Sequence, residues 1–407
     1  MENLIRFFLP QWVINYFWHL PKAILANVLY GFPSKKLTVI GVTGTDGKTT
    51  TVNMIYQILK EAAKKVSMVS TINAVIGGKI YDTGFHVTSP DPFLVQKFAS
   101  DALKNGDKYL VLEVTSHALD QFRFWGIKFD VGVITNITHE HLDYHRTFEN
   151  YKNTKLKLLK NVKFAILNSN LKQYIVRSHT IFWRNFITFG LIKGRLNKKK
   201  FGLKLKIPGD YNIENALAAL AVANVLKINR EQAVKSLENF YGLSGRMEEI
   251  LNKKGIKIII DFAHTPNALE NALKALRTRA TPWRLGRIIA LIGCEGFRDV
   301  GKRAMMGEIS GKLADVTVVT TVDPRGQLES INKEIIMGLK KAGAKRDRNY
   351  FIIDDRKEAI DFAINRLAKK GDTIGIFGKG HETSINLDGK NEISWSDKGS
   401  VVEILNG

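Results

Sequence analysis

Six consecutive residues, Gly44-Thr45-Asp46-Gly47-Lys48-Thr49, carry the groups that hold a nucleoside triphosphate. Glycines let backbone N–H groups close around phosphate oxygens. A lysine ammonium reaches the terminal phosphates, and a threonine hydroxyl can hold Mg2+. The usual pattern has a glycine five positions before Gly47, where this chain has Val42, so the loop is a variant. Further on, Glu113 closes the apolar run 109–112, which sets a carboxylate at a strand end. His139, His141, Asp143 and His145 then form a cluster with metal-ligand residue types. Tyr144 makes its spacing one residue too long for a His-x-His-x-Asp-His zinc site, and zinc stands as a rival to Mg2+ here. Residues 191–206 hold seven Lys and Arg and no acid, without the interleaved aromatics that stack bases. They read as a solvated hairpin face, and no nucleic-acid partner is expected.

These groups need elements to position them. Residues 37–42 form a short β-branched run before the glycine loop, and 49–63 carry a helical pattern after it. Strands are expected at 66–70, 109–114, 131–135 and 164–167, separated by helix-length segments. Alternation of this kind favours a parallel, doubly wound sheet. Two glycines and a serine punctuate the chain at 242–245. A second series follows, with strands at 256–261, 287–292, 316–321 and 373–377 and helices at 268–280, 302–314, 331–342 and 355–367. The expected class is α/β, with an arm over 1–36, a nucleotide-binding domain over 37–244 and a second α/β domain over 245–407.

Length and composition fit that plan. The chain has 407 residues, 44% hydrophobic and 25% charged, which excludes wholesale disorder. A single cysteine, Cys294, excludes a disulfide framework and a Cys-rich zinc ribbon, and points to a reducing compartment. The net charge of +22 invites nucleic acid, an anionic membrane surface or acidic substrates as partners. Residues 4–30 are rich in Leu, Ile, Phe, Trp and Tyr, but their uncharged run of 15 residues, 7–21, contains Pro10 and Pro21. A spanning helix needs about 20 apolar residues. The arm therefore reads as a helix packed on its own domain or on a second subunit, or as one lying on a membrane surface near Arg6, Lys22, Lys35 and Lys36.

Several further motifs occur in one order: Tyr30-Gly31-Phe32-Pro33-Ser34, residues 41–51, Glu113-Val114-Thr115-Ser116-His117, residues 136–143, Pro208-Gly209-Asp210-Tyr211-Asn212, Gly245-Arg246-Met247-Glu248, Asp261-Phe262-Ala263-His264-Thr265-Pro266 and Gly378-Lys379-Gly380-His381-Glu382. Together, over roughly residues 29–407, they resemble the Mur ligases of peptidoglycan synthesis. Within that family the likeness is to the MurE branch, which adds the third amino acid to UDP-N-acetylmuramoyl-dipeptide. The resemblance implies a central P-loop-type ATPase domain with a mainly parallel sheet and a C-terminal Rossmann-like domain. It also implies an ATP-dependent ligase that makes an amide through an acyl phosphate, with ATP and Mg2+ required.

Residue by residue, the resemblance gives Lys48, Glu113, His141 and Lys155 the catalytic roles. Thr49, Glu113, His141 and a carbamylated Lys155 would hold metal. ATP would meet Gly44, Thr45, Gly47, Lys48, Thr49, Thr50, Asn136, Asn212, Arg246, Asp261 and His264. The muramoyl-peptide and the incoming diaminopimelate or lysine would meet Thr88, Ser89, Thr115, Arg123, Asp323, Arg325, Gly378, His381 and Glu382. Three features depart from the pattern. Val322-Asp323-Pro324-Arg325 stands for Asp-Asn-Pro-Arg, and Glu295 and Phe297 replace a Gly and an Asp. Only 43 residues precede Gly44, too few for the UDP-binding domain that the resemblance implies there, so that domain is expected to be missing. The alternatives are a Mur-like ligase for another acidic carrier, of the folate or poly-glutamate type, and a membrane-surface protein with a vestigial nucleotide site. The expected location is the cytoplasm, with the inner face of the membrane open as a peripheral site. Monomer and homodimer both remain open.

Overall fold

The computed structural model describes residues 9–81, 89–176, 185–278 and 286–407. Among them the chain forms two compact units. The first holds the described residues of 1–137, 147–205 and 211–240, and the second those of 241–407 together with two short stretches, 138–146 and 206–210.

In the first unit, β1 (Thr38–Thr43), β2 (Val66–Val69), β3 (Ala74–Ile76), β4 (Lys79–Tyr81), β5 (Tyr109–Glu113), β6 (Val131–Ile134), β7 (Phe164–Asn168), β8 (Phe186–Gly190) and β9 (Leu196–Asn197) form one sheet. Its order is β4-β3-β2-β5-β1-β6-β7-β8-β9. Pairing is parallel from β2 through to β9. Only β3 and β4 are antiparallel, as a hairpin at one edge. The central strands read as near-continuous apolar runs because helices cover both faces. Val39, Leu110, Leu112 and Val114 are fully or almost fully buried in one core with Phe98 and Ala99 of the helix Pro92–Lys104. That helix starts cleanly: Asp91 accepts from the N–H groups of Phe93 and Leu94, and Pro92 needs no N–H partner. The chain leaves β1 toward one side of the sheet and returns through β6 on the other. Such a switch point opens a crevice at the carboxyl ends of the strands.

The second unit holds β10 (Glu248–Ile250), β11 (Lys257–Asp261), β12 (Ile288–Ile292), β13 (Val316–Val319), β14 (Tyr350–Ile352) and β15 (Thr373–Phe377) in the order β10-β11-β15-β12-β13-β14. All pairs are parallel except β10 with β11. Ile258, Ile260, Ile289, Leu291, Ile374 and Ile376 form its core, each contributing about 1.5–3 kcal/mol by burial. A buried bidentate pair, Arg356 Nε and Nη2 to Asp397 at 2.7 and 2.8 Å, ties two helices together. The same guanidinium donates to the carbonyls of Thr321 and Phe377 at 3.0 Å and so fixes the carboxyl ends of β13 and β15.

Both units are thus α/β with mainly parallel sheets, as the alternating pattern predicts. One local expectation fails. Residues 191–206 are not a hairpin: β9 pairs parallel with β8, and a short helix, Lys198–Phe201, follows. Asn197 caps that helix by accepting the Lys200 N–H, which turns the chain away from an antiparallel return. The lysines at 193, 198, 199, 200, 204 and 206 are exposed.

Candidate active site

Residue type and strand order together bring the predicted nucleotide residues to one place. The loop after β1, Glu113 at the end of β5 and Asn136 just past β6 sit at the carboxyl ends of three adjacent strands. Thr45 N–H donates to the Asn136 carbonyl at 3.0 Å, and Asp46 N–H to its Oδ1 at 2.9 Å. The glycines are steric necessities. A Cβ on Gly44 would lie 1.8 Å from Thr135 Oγ1, and one on Gly47, at φ +81°, would lie 2.2 Å from Asn215 Oδ1. Asn215 in turn donates to Asn212 Oδ1 at 3.3 Å, which brings Asn212 to the loop's flank. Lys48, first residue of the helix Lys48–Glu61, turns its Nζ back onto the Thr45 carbonyl at 2.8 Å. Thr50, next but one in that helix, is buried.

Thr49 donates its hydroxyl to Glu113 Oε1 at 3.0 Å, and the other carboxylate oxygen accepts the Thr71 N–H at 2.8 Å. Glu113 is 2% exposed. A hydroxyl and a carboxylate are hard oxygen donors of the kind that take Mg2+, which otherwise keeps waters and phosphate oxygens. On the donor set, these two residues fit the ion.

The helix Phe148–Leu156 adds a second wall. Its i, i+4 spacing puts Tyr151 and Lys155 on one face. Tyr151 Oη pairs with Thr45 Oγ1 at 2.9 Å, and Lys155 Nζ donates to the Gly44 carbonyl at 2.6 Å. Tyr151 escaped the sequence reading, although its offset of four from Lys155 is a signal. His141 belongs to the stretch assigned to the second unit and, at φ +57°, precedes a single helical turn, Leu142–His145. His139 pairs with Asp299 at 3.1 Å. Among the described residues no group of three or more His, Cys, Asp or Glu gathers to hold a metal.

Ser89, Thr115 and Arg123 come together as expected. Ser89 Oγ donates to the Glu113 carbonyl at 3.2 Å and lies 3.1 Å from Thr115 Oγ1. Arg123 Nη1 donates to the Ser89 carbonyl at 2.6 Å, and its other nitrogens meet Gln121 Oε1 at 2.9 and 2.7 Å. Thr115 also caps the helix Ser116–Asp120. Thr88 lies outside the described residues.

In the second unit the predicted residues again follow the carboxyl ends of neighbouring strands. Asp261 accepts the N–H groups of Met247 and Ala263 at 2.7 and 2.8 Å, which holds Arg246 beside β11. Arg246, His264 and His381 gather around the Phe262 ring, at 4.4, 4.3 and 5.1 Å from its centre. Burial, with help from the Arg246 guanidinium, pushes His381 down to about 3, so the ring is neutral. Past β13 and β15, Lys379 bonds both oxygens of Asp323 at 3.1 Å and Glu382 at 2.6 Å. Lys379 is fully buried and Asp323 nearly so. Burial raises Asp323 above the ordinary carboxylate range even beside Lys379. Gly378, at φ +106°, leaves 2.8 Å between a would-be Cβ and Val322. Arg325, also left-handed at φ +50°, donates to the Gly296 carbonyl at 3.3 Å.

A second buried network went unforeseen. Lys302, 1% exposed, faces Glu295 at 2.9 Å and Glu140 at 3.4 Å. Burial alone would lower the Lys302 ammonium, yet Glu295 and Glu140 hold it well above its ordinary value. Glu295 is held low by Lys302 against its own burial. Glu140 lies 162 positions from Lys302, Glu295 is in the loop just before the Lys302 helix, and each alone is an ordinary charge. Cys294 is buried 3.6 Å from Met306 Sδ, and burial pushes its thiol up to about 12, which fits packing and not nucleophilic attack.

The sequence of residues 42–223 matches the Mur ligase middle domain, and residues 245–380 match the Mur ligase glutamate ligase domain. A UDP-N-acetylmuramoyl-L-alanyl-D-glutamate–2,6-diaminopimelate ligase of Clostridium acetobutylicum is 37% identical over 405 residues, 94% of this chain and 81% of that protein. The chain belongs to the Mur ligase family. The enzyme of the same name from Listeria monocytogenes is 34% identical over 88% of this chain and 77% of its own length. Among solved structures, a ligase of that name has a TM-score of 0.59 at 26% identity, covering 91% of this chain and 78% of its own. MurF of Acinetobacter baumannii shares the fold at 17% identity, with a TM-score of 0.68 over 95% of this chain and 81% of its own. Mur ligases are ATP-dependent ligases that form carbon–nitrogen bonds, and the phosphate loop described above is the part of this chain suited to that nucleotide.

Proposed function

We propose that this Mur ligase is of the MurE type and joins diaminopimelate or lysine to the dipeptide carboxylate of a UDP-muramoyl-peptide, consuming ATP. The observation that carries the reading is Glu113 bonded to Thr49 on the phosphate loop, in a chain similar to diaminopimelate-adding enzymes along 94% of its length. Bound Mg2+, held by Thr49 and Glu113, would neutralise charge on the transferring phosphoryl group. His141 and a carbamylated Lys155 are carried over from the family as its remaining ligands. As an amine, Lys155 donates to Gly44, and carbamylation would turn that donor into an anion at the loop.

The chain's own groups divide the chemistry. Loop N–H groups and Lys48, released from the Thr45 carbonyl, would hold the β- and γ-phosphates. The substrate carboxylate oxygen attacks the γ-phosphorus and ADP leaves, giving an acyl phosphate. The amino nitrogen then attacks the acyl carbon, loses a proton, and inorganic phosphate departs with the original carboxylate oxygen. Ser89, Thr115 and Arg123 would hold the peptide substrate. Asn136 and Asn212 would frame the nucleotide at the phosphate loop, and Arg246, Asp261 and His264 are carried over from the family as nucleotide contacts of the second unit. Arg325 would clamp the carboxylate of the amino acid, with Gly378, His381 and Glu382 near its amine. Asp323, locked by Lys379, would shape that pocket. Phosphate release from ATP, measured with UDP-muramoyl-dipeptide and either diaminopimelate or lysine, tests the proposal. Release should need both substrates. Release that ignores them would reject it.

A further inference from the structure

The N-terminal arm carries its bulky side chains outward. In the helix Leu20–Tyr30 the buried face is Ala23, Ala26 and Asn27. Ile24, Leu25, Val28 and Leu29 are 37–65% exposed on the opposite face. Upstream, Trp12, Tyr16, Phe17 and Trp18 are all more than half exposed. A surface helix normally turns its large apolar residues to the core, so this face is inverted. The arm is nonetheless fixed to its own unit. Asn27 donates to the Trp125 carbonyl, Asn15 Nδ2 donates to Asp120 Oδ2 at 2.8 Å, and the Tyr16 ring meets Phe122 edge-on at 5.2 Å. Its outer face is therefore displayed by a docked helix.

Charge narrows what that face suits. Between Glu2 and Asp46 the sequence has no acidic residue, while it has Arg6, Lys22, Lys35 and Lys36. Those three lysines are exposed in the structure. A second copy laid against this face would bring cations against cations with no acid from the segment to answer them. Anionic headgroups answer them directly, and Trp and Tyr favour the headgroup boundary. No helix among the described residues is long and apolar enough to cross a membrane, so the arm would lie on the bilayer. We propose that the outer face of residues 12–29 docks this enzyme on an anionic lipid surface.

Sedimentation of the full chain with vesicles tests this. With equal parts phosphatidylglycerol and phosphatidylcholine, the protein should pellet, and tryptophan emission should shift to the blue. Pure phosphatidylcholine should bind it at least about tenfold more weakly, since each lysine near an anionic surface is worth about fivefold. Leu25→Gln/Val28→Gln/Leu29→Gln should weaken binding about tenfold or more while ADP binding stays at wild-type level, which shows the fold intact. The proposal is overturned if the wild type stays in the supernatant with the anionic vesicles. Equal pelleting of the triple variant, or a wild-type dimer that this variant abolishes, would overturn it as well.

Discussion

Replacing Gly44 by alanine sets a methyl group 1.8 Å from Thr135 Oγ1, with Thr135 Cβ and the Asn136 nitrogen next at 3.1 and 3.2 Å. The nearest obstacle is one hydroxyl, added to the strain any side chain meets at the Gly44 φ of +157°, and that hydroxyl works: it donates to the Asp46 carbonyl at 2.6 Å and holds the loop closed. Forcing a methyl into a packed site costs about 1–3 kcal/mol. Displacing the hydroxyl forfeits about 1 kcal/mol more. If the loop bears both, ADP affinity should fall about 30- to 700-fold, at 1.4 kcal/mol per tenfold. Thr135→Ala alone should lose only the hydrogen bond, about fivefold. In the double variant the 1.8 Å contact is gone, while the contacts at 3.1 and 3.2 Å and the backbone strain at φ +157° are common to it and to Gly44→Ala. Calorimetric titration with ADP should therefore find Gly44→Ala/Thr135→Ala binding more tightly than Gly44→Ala alone. A double variant whose loss is the product of the two single losses would refute the steric argument.

Other perturbations follow from the second unit. Lys302→Met leaves Glu140 and Glu295 buried without their cation, and denaturant unfolding should register a loss of about 3–5 kcal/mol; a loss under about 1 kcal/mol would contradict the network. His381, pushed down to about 3 when folded from 6.5, is protonated first in the unfolded chain, so its contribution is complete above pH 6.5 and is lost as pH falls toward 3. The stability advantage of wild type over His381→Gln should then shrink by up to about 2 kcal/mol between pH 7 and pH 5, and a gap independent of pH would count against a neutral ring. Arg325→Ala should raise the half-saturating amino-acid concentration about 10- to 100-fold, the worth of a charged hydrogen-bond pair, with the ATP requirement within about twofold. Equal shifts for both substrates would dismiss the carboxylate clamp.

Apolar runs and glycine punctuation made the central strands legible, because strands covered on both faces cannot be anything but apolar. The phosphate loop was legible for a different reason: its glycines are demanded by the Thr135 and Asn215 side chains pressed against it. The hairpin of β3 and β4 was not, since three-residue strands give too short a pattern to show a period. The false hairpin at 191–206 came from charge, which marks exposure and says nothing of strand direction. Lys379 was legible as part of a motif but not as the cation that locks Asp323, and Lys302 not at all. Its partner Glu140 is 162 positions away, and no local spacing encodes a contact of that range.

In the proposed reaction the substrate carboxylate is activated by phosphoryl transfer before the amine attacks. UDP-muramoyl-dipeptide labelled with oxygen-18 in its terminal carboxyl group, incubated with this protein, ATP, Mg2+ and diaminopimelate or lysine, follows that oxygen directly. Each inorganic phosphate released should carry one labelled oxygen, with an amide product of matching amount. Unlabelled phosphate, with water as the source of its new oxygen, would contradict the proposed reaction.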